Sequence, residues 1–250
     1  MKKILTLIVL TTILTCCSKK ICLKTEIDKR SFYEYKTVKD TCKNVVTVFE
    51  NNTVHSKGFG DRLFKQDKWS FYKDDLVVST GSYLNSQPTG EWSYLDYKVN
   101  WEIIEKYKLM FIVSLPDDFE LIVNNENQVL YASTESSKLN FKCGISIIEL
   151  NDLSLKSILE HQSVEELKIP DMIKSEYRII PFDNKKEYAE KVNEYNFQGK
   201  TYYAYQNVFV SNKNNKIYSF SVNYEVVNNL TAKIIGQQIL ESFKLNDDLW

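Results

Sequence analysis

Side chains able to do acid–base, nucleophilic or metal chemistry are few in this chain of 250 residues. The two histidines, His55 and His161, are too few for a multi-histidine metal site. Adjacent acidic pairs at 117–118, 165–166 and 247–248 are typical of solvated turns, helix surfaces and tails. No Gly-x-Ser-x-Gly elbow and no phosphate-binding Gly-Lys-Ser/Thr loop occurs in the sequence. We therefore expect no catalytic residue, no metal and no cofactor, so that the protein is not an enzyme.

The N-terminus predicts a different use of cysteine. Lys2 and Lys3 precede an apolar segment, residues 4–14, which is about half as long as a membrane-spanning helix and is typical of a secretory signal. The following Leu-Thr-Cys-Cys at 14–17 resembles the bacterial lipobox, in which a Leu lies three residues before a lipidated Cys. The resemblance implies removal of residues 1–16 and acylation of Cys17, with palmitate-type chains. The alternative is a simple secretory signal with incidental cysteines.

The residues after Cys17 indicate which membrane the protein is expected to occupy. Ser18 is not the Asp that retains lipoproteins in the inner membrane of well-studied Gram-negative bacteria, so the resemblance implies the outer membrane, on its periplasmic or surface face. Ser-Lys-Lys at 18–20 is similar to the short charged tags of surface-displayed Bacteroidetes-type lipoproteins. The chain is thus expected to be anchored to a membrane through lipid.

Three further cysteines follow the lipobox. Export makes disulfides available, and Cys22 and Cys42 enclose a short segment that they could close by pairing; otherwise they are isolated thiols. Cys143 lies in a strand-like apolar run and is expected to be a buried filler.

Charge and composition exclude one large class of partner. The formal net charge is -1, and three of the 32 basic residues are Arg, which disfavours recognition of phosphate or nucleic acid. Hydrophobic residues make up 43% of the chain, as in ordinary globular proteins. The aromatic content of 13% favours β-strands.

A near-repeat with a spacing of 23 residues lies in the first half of the chain. Trp-Ser-Phe-Tyr at 69–72 recurs as Trp-Ser-Tyr-Leu at 92–95, and the residues between alternate strand-like and turn-like segments. Together with Gly-Ser-Tyr at 81–83, this resembles the MORN-like repeats of the YwqK type. The first unit departs from that pattern, since Asp67 stands where the second unit has Gly90.

The rings of this repeat have two interpretations. They form a stripe that packs one hairpin on the next, or an exposed ladder that binds glycan, peptide or lipid. The residues concerned are Trp69, Tyr72, Tyr83, Trp92 and Tyr94.

Residues 108–246 are predicted to form one α+β domain. Strands are expected at 109–113, 128–132, 139–150, 177–180, 201–210 and 217–224, and Val192, Tyr195 and Phe197 favour another. Helices are expected from Asp152 to before Pro170, and from Asn228 or Asn229 to about Leu245.

Two short motifs carry a second resemblance. Leu-Pro-Asp-Asp-Phe at 115–119 and Ile-Leu-Glu-Ser-Phe at 239–243 are similar to the PsbP-like family, although Phe119 replaces the usual Trp. The resemblance implies an antiparallel sheet with helices packed on its faces, an α/β/α sandwich. It also implies a role in binding other proteins, and no catalytic residue comes with it.

These inferences combine into one architecture and one function. We predict a signal peptide at 1–16, a tether at 17–42, a MORN-like β-hairpin region at 43–107, the PsbP-like α+β domain at 108–246 and a tail at 247–250. The function expected is a non-enzymatic module that binds or scaffolds an envelope protein. An antitoxin- or immunity-like protein of the YwqK type is one alternative. An envelope hydrolase with a site assembled from distant residues is the other.

Overall fold

The computed structural model describes residues 22–28, 35–62, 64–106, 111–134, 137, 139–149, 154–183, 186–211, 216–225 and 230–245. Within these residues the chain forms seventeen strands and two helices. The strands make two antiparallel sheets, one of ten strands and one of seven.

The first sheet is a meander in which each strand pairs with the next one along the chain. Its order is β1 to β9, and the short C-terminal strand β17 pairs with β9 at the far edge. Such neighbour-to-neighbour pairing needs only short turns, and the described β2–β3, β3–β4, β5–β6 and β6–β7 turns place Asn, Asp or Ser at positive φ. The strands are β1 (Leu23–Asp28), β2 (Tyr35–Asp40), β3 (Val45–Glu50), β4 (Thr53–Gly60), β5 (Lys65–Lys73), β6 (Leu76–Leu84), β7 (Gln87–Tyr94), β8 (Lys98–Lys106), β9 (Phe111–Pro116) and β17 (Lys244–Leu245).

The second sheet is built from longer strands in the order β10-β11-β12-β16-β15-β14-β13. A three-stranded meander, β10–β12, and a four-stranded meander, β13–β16, join where β12 pairs with β16. The strands are β10 (Phe119–Asn124), β11 (Gln128–Ser133), β12 (Phe141–Glu149), β13 (Met172–Asp183), β14 (Lys186–Phe197), β15 (Lys200–Ser211) and β16 (Lys216–Glu225).

The two helices occupy different positions. Helix α1 (Leu155–Glu166) begins at the N-cap Ser154, whose hydroxyl accepts the Ser157 N–H, and it packs on the second sheet. Helix α2 (Leu230–Ser242) contacts β7 and β9 of the first sheet as well as β15 and β16 of the second. Most of α2 is therefore buried, and it connects the two sheets.

The hydrophobic core follows from these contacts. One large cluster takes residues from both sheets and α2, and includes Trp69, Trp92, Phe220 and Ile235. A smaller cluster lies beneath α1 and contains Leu155, Leu159, Ala189, Val208 and Ile217.

The predicted fold class is wrong. Of the described residues, 68% lie in strands and 13% in helices, so the protein is almost entirely antiparallel β-sheet and not an α+β fold with helices packed on sheet faces. The prediction failed because charged segments such as Lys98–Lys106 and Met172–Asp183 look weakly strand-forming alone. Pairing with neighbouring strands overrides that weak preference.

The predicted ranges map onto the sheets as follows. The tether range 17–42 contains β1 and β2. The division at 107–108 falls between β8 and β9, which pair with each other. The first sheet therefore takes strands from three of the predicted ranges.

Candidate functional site

Of the candidate cysteines, the structure describes three. Cys22 and Cys42 form a disulfide with Cα atoms 5.3 Å apart, which ties the start of β1 to the turn after β2. Asp40 lies beside them, but its Oδ1 accepts the backbone N–H groups of Cys42 and Lys43. Cys143 is buried, and burial raises the pKa of its thiol. Cys17, the candidate for lipidation, lies outside the described residues.

The candidate binding aromatics are mostly interior side chains. Trp69 and Trp92 are completely buried, Tyr83 and Tyr94 are nearly so, and Tyr72 is half-buried. The Tyr83 ring lies 6.1 Å from Trp69 and 5.2 Å from Trp92 between centroids, in edge-to-face contacts. Four of the five rings therefore pack against each other and have no exposed face to offer a ligand.

The repeat depends on two glycines, of which the sequence pattern included Gly81 but not Gly58. Gly58 pairs with Trp69 across β4 and β5, and a Cβ at Gly58 would collide with that indole. Gly81 pairs with Trp69 across β5 and β6, and a Cβ at Gly81 would collide with the Trp92 indole of the next strand, β7. Each indole N–H also donates to a carbonyl ten residues earlier, at 3.0 Å for Trp69 and 3.1 Å for Trp92. Gly58 and Gly81 are 23 residues apart, the same spacing that separates the two Trp residues.

A buried polar network fastens α2 to the first sheet. Gln238 on α2 accepts the Tyr94 hydroxyl at 2.7 Å and donates to Tyr83 at 3.2 Å. Gln87 donates to the Ser242 carbonyl at 2.6 Å and accepts from Ser114. Burial raises the pKa of both tyrosines well above its ordinary value. These hydroxyls remain neutral and act as structural donors and acceptors.

Charged groups lie beside this network at the C-terminal end of α2. The Lys65 ammonium pairs with Glu241 of α2 and lies 5.5 and 5.3 Å from the ring centroids of Trp69 and Tyr83. Burial opposes ionisation of Glu241, but Lys65 and Arg62 outweigh it, so the pKa of Glu241 lies below its usual range.

His55 lies next to this cluster. Its Nε2 is 3.8 Å from Glu50, and its ring packs edge-on against Tyr35 and Phe71. Burial holds the pKa of His55 below its ordinary value, although Glu50 opposes that shift. His161, the other histidine, is exposed on α1.

An acidic cleft of about 340 Å³ lies beside the β9–β10 turn. The Tyr97 hydroxyl donates to Asp118, and burial together with that bond raises the pKa of Tyr97. Asn100 donates to Asp117 at 3.3 Å, and Thr231 of α2 donates to Asp96 at 3.4 Å. The acidic side chains of the cleft thus join two turns and the start of α2.

The best candidate for contact with another molecule is an exposed aliphatic surface. The end of α1 and the start of β13 present Val164, Leu167, Ile169 and Ile173, each between 51% and 54% exposed. We call these four residues the α1–β13 surface. Ile173 is directed outward at a register shift between β13 and β14. Four large aliphatic side chains are thus exposed within ten residues of the chain, and a local concentration of exposed apolar groups is typical of interaction sites.

An ion pair beneath this surface holds it in place. Glu166, the last residue of α1, lies 2.5 Å from the Lys191 ammonium of β14, whose side chain is 0% exposed. The same carboxylate oxygen accepts from Ser175 at 2.9 Å and from Asn193 at 3.1 Å. Because side chains of β13 and β14 bind the Glu166 carboxylate, the end of α1 has a fixed position.

No family model matches the sequence, and no curated protein does. Solved structures that align with part of the chain include the Ran-binding protein Mog1p of Saccharomyces cerevisiae. It is 12% identical, with a TM-score of 0.42 over 61% of this chain and 99% of that one. A point variant of Mog1 aligns at 13% identity and a TM-score of 0.43, over 60% and 98% of the two chains. LpqN, involved in cell envelope biogenesis of Mycobacterium tuberculosis, aligns at 12% identity and 0.39, over 59% and 91%. The neighbours thus include a protein of the cell envelope.

Neither described helix has the length and apolar character required to cross a bilayer.

Proposed function

We propose that this protein is a lipid-anchored module of the bacterial cell envelope that binds another envelope protein and catalyses no reaction. The observation that carries the binding role is the α1–β13 surface, with its four exposed aliphatic side chains on a rigidly held helix end. Such a surface is costly in water unless a partner covers it. The partner expected is a protein with a complementary apolar surface.

The envelope location is supported by the disulfide and the lipobox together. Cys22–Cys42 suits an oxidising compartment outside the cytoplasm. Acyl chains on Cys17 would hold the protein at the membrane essentially permanently, since each buried methylene contributes about 0.8 kcal/mol. Ser18 at the next position favours the outer membrane.

We also propose that the Gly58–Trp69 and Gly81–Trp92 pairs are two units of a MORN-like repeat of the YwqK type. The equal 23-residue spacing of the glycines and of the indoles supports it. In this structure the repeat builds the core beneath α2 and leaves partner binding to other surfaces.

The binding role is tested by photo-crosslinking in intact cells. A photoreactive amino acid is placed at Leu167 on the α1–β13 surface, and a matched control is placed at Leu76, which is 71% exposed at the start of β6. We expect a discrete higher-mass adduct from position 167 and none from position 76. Adducts of equal yield from both positions, or none from either, would contradict the proposal.

The anchor is tested separately. Replacing Cys17 by Ala is expected to leave an unprocessed precursor or a released protein, measured by metabolic labelling with a fatty acid and by membrane fractionation. A variant that is still labelled and membrane-bound would exclude Cys17 as the lipidated residue.

A further inference from the structure

The first four strands carry an apolar surface on the side away from α2. Register places alternate residues of β1 to β4 on this side, and the large apolar ones among them are partly or fully exposed. Leu23 is 61%, Ile27 60% and Phe59 41% exposed. We call it the outer β1–β4 face; its large apolar residues are Leu23, Ile27, Val38, Val45, Phe49 and Phe59.

This face is unusual because the same strands already bury their other side. Val46 and Val48 of β3 are 0% and 2% exposed on the core side. An antiparallel sheet with one solvated face normally alternates apolar with polar residues. Strand β3 instead places Val45 and Phe49 on its outer side, so it is apolar on both sides. A strand of this kind requires a second apolar environment.

The chain leading to β1 indicates what that environment is. Five peptide steps separate Cys17 from Cys22, so the two Cα atoms lie at most about 18 Å apart. The disulfide fastens Cys22 to Cys42 in the turn between β2 and β3. An anchor on Cys17 therefore holds β1 and β2 directly at the membrane surface. This step rests on the lipid anchor proposed above.

Charge on the face fits a lipid surface as well. Lys36 and Lys57 project from the same side as the apolar residues, and the Lys36 ammonium lies 5.9 Å from the Phe49 ring centroid. Asp40 lies on this side too, and its carboxylate accepts the backbone N–H groups of Cys42 and Lys43. Lys19 and Lys20 precede the face in sequence. Lysines beside apolar side chains suit a bilayer with anionic headgroups, because the apolar groups enter the acyl boundary while the ammonium groups meet phosphates.

We propose that the outer β1–β4 face lies on the bilayer that carries the lipid anchor. The protein then stands on the membrane with β1 and β2 at its base. The α1–β13 surface belongs to the second sheet and stays available for a protein partner.

The test uses tryptophan as a depth reporter. The chain beginning at Cys17 carries Phe59→Trp and is coupled through the Cys17 thiol to a maleimide phospholipid. Cys22 and Cys42 are bonded to each other and Cys143 is buried, so Cys17 is the accessible thiol. Vesicles of phosphatidylethanolamine and phosphatidylglycerol with brominated acyl chains quench an indole that enters the bilayer. The matched control is Leu121→Trp, since Leu121 is 43% exposed, on β10 of the second sheet.

We expect brominated vesicles to quench the reporter at 59 strongly and the reporter at 121 no more than the unsubstituted chain. Adding Ile27→Glu to the position-59 reporter is expected to reduce the quenching, while circular dichroism shows unchanged folding. Equal quenching at both positions, or none at 59, overturns the proposal. Self-association without vesicles that Phe59→Glu abolishes also overturns it, by assigning the face to a second copy. Coupling through maleimide makes these results independent of natural lipidation, which the mass of the mature native protein tests separately.

Discussion

Lys65 in the first sheet and Lys191 in the second each pair with a glutamate near the end of a helix, but their surroundings differ. Lys65 lies between two aromatic rings, and its partner Glu241 keeps 32% of its side chain exposed. Lys191 is fully buried, and its partner Glu166 is also hydrogen-bonded to two strands. The first sheet holds α2 through rings and many neutral hydrogen bonds, whereas the second holds α1 through a small apolar cluster and one buried ion pair. A single substitution should therefore do more damage in the second sheet.

The largest effect is expected from Glu166→Ala. The substitution leaves the fully buried Lys191 ammonium without its carboxylate, which should lower the free energy of unfolding by about 3–5 kcal/mol. Chemical denaturation measures the loss. The control is Glu165→Ala, whose exposed side chain pairs only with exposed Lys168 and should leave the midpoint nearly unchanged. If Lys191→Met added to Glu166→Ala recovers no stability, the buried charge is not the cause.

A smaller loss is expected from Gly81→Ala in the first sheet. The added methyl group collides with the Trp92 indole, and overpacking of this kind costs about 2–3 kcal/mol. Gly90→Ala is the matched control. Gly90 has φ +64° but open space around its Cα, so the cost is that of a strained backbone, about 1 kcal/mol. Thermal denaturation measures the loss of stability in both variants. Equal losses would mean that the Gly81–Trp92 contact has room for a methyl group.

Glu241→Ala tests the comparison directly. Lys65 keeps its contacts with Trp69 and Tyr83 after the substitution, so the free energy of unfolding should fall by about 1–2 kcal/mol, less than for Glu166→Ala. Denaturation under the same conditions gives the ranking. A loss as large as that of Glu166→Ala would show that the rings do not compensate for the missing carboxylate.

The smallest effect concerns pH. Because the pKa of folded His55 lies below the 6.5 of an unfolded histidine, the unfolded chain binds the proton first as the pH falls. Stability due to neutral His55 is therefore complete above about pH 6.5 and decreases below it. Between about pH 7 and 5.5, the free energy of unfolding should decrease less for His55→Gln than for the wild type. The difference should reach up to about 1 kcal/mol. The free energy of unfolding of His161→Gln should depend on pH as that of the wild type does. A steeper decrease for His55→Gln than for the wild type would mean that folding raises the pKa of His55 and does not lower it.

Much of the strand content could be predicted from sequence, but the fold class could not. Alternating apolar residues at 141–147 and 218–224 located β12 and β16. Strands with alternating charges, such as β8, became recognisable only through their paired neighbours. The two helices were located within a few residues, but α2 was expected to cover one sheet, and it contacts both.

The site residues divide in the same way. Trp69 and Trp92 stood out because indoles are rare and regularly spaced, and packing was one of the two interpretations given. Gly58 did not, and Gly81 was noted only as part of a Gly-Ser-Tyr motif, because their reason for being glycine lies on the neighbouring strand. Lys191 and Glu166 looked like surface charges, since 25 residues separate them in a sequence rich in both types.

The position of α2 at the end of the described chain determines when the first sheet can be completed during folding. Residues 230–245 supply the contacts that close the first sheet. These include the hydrogen bond that Gln238 donates to Tyr83, the one that Gln87 donates to the Ser242 carbonyl, each across 155 positions, and the Lys65–Glu241 pair across 176 positions. The hairpins of the first sheet can form before these residues are available, because their contacts are local, but the side of Trp69 and Trp92 that faces α2 stays open until α2 docks. Closure of the first sheet thus waits for the last helix, which makes it a late step of folding.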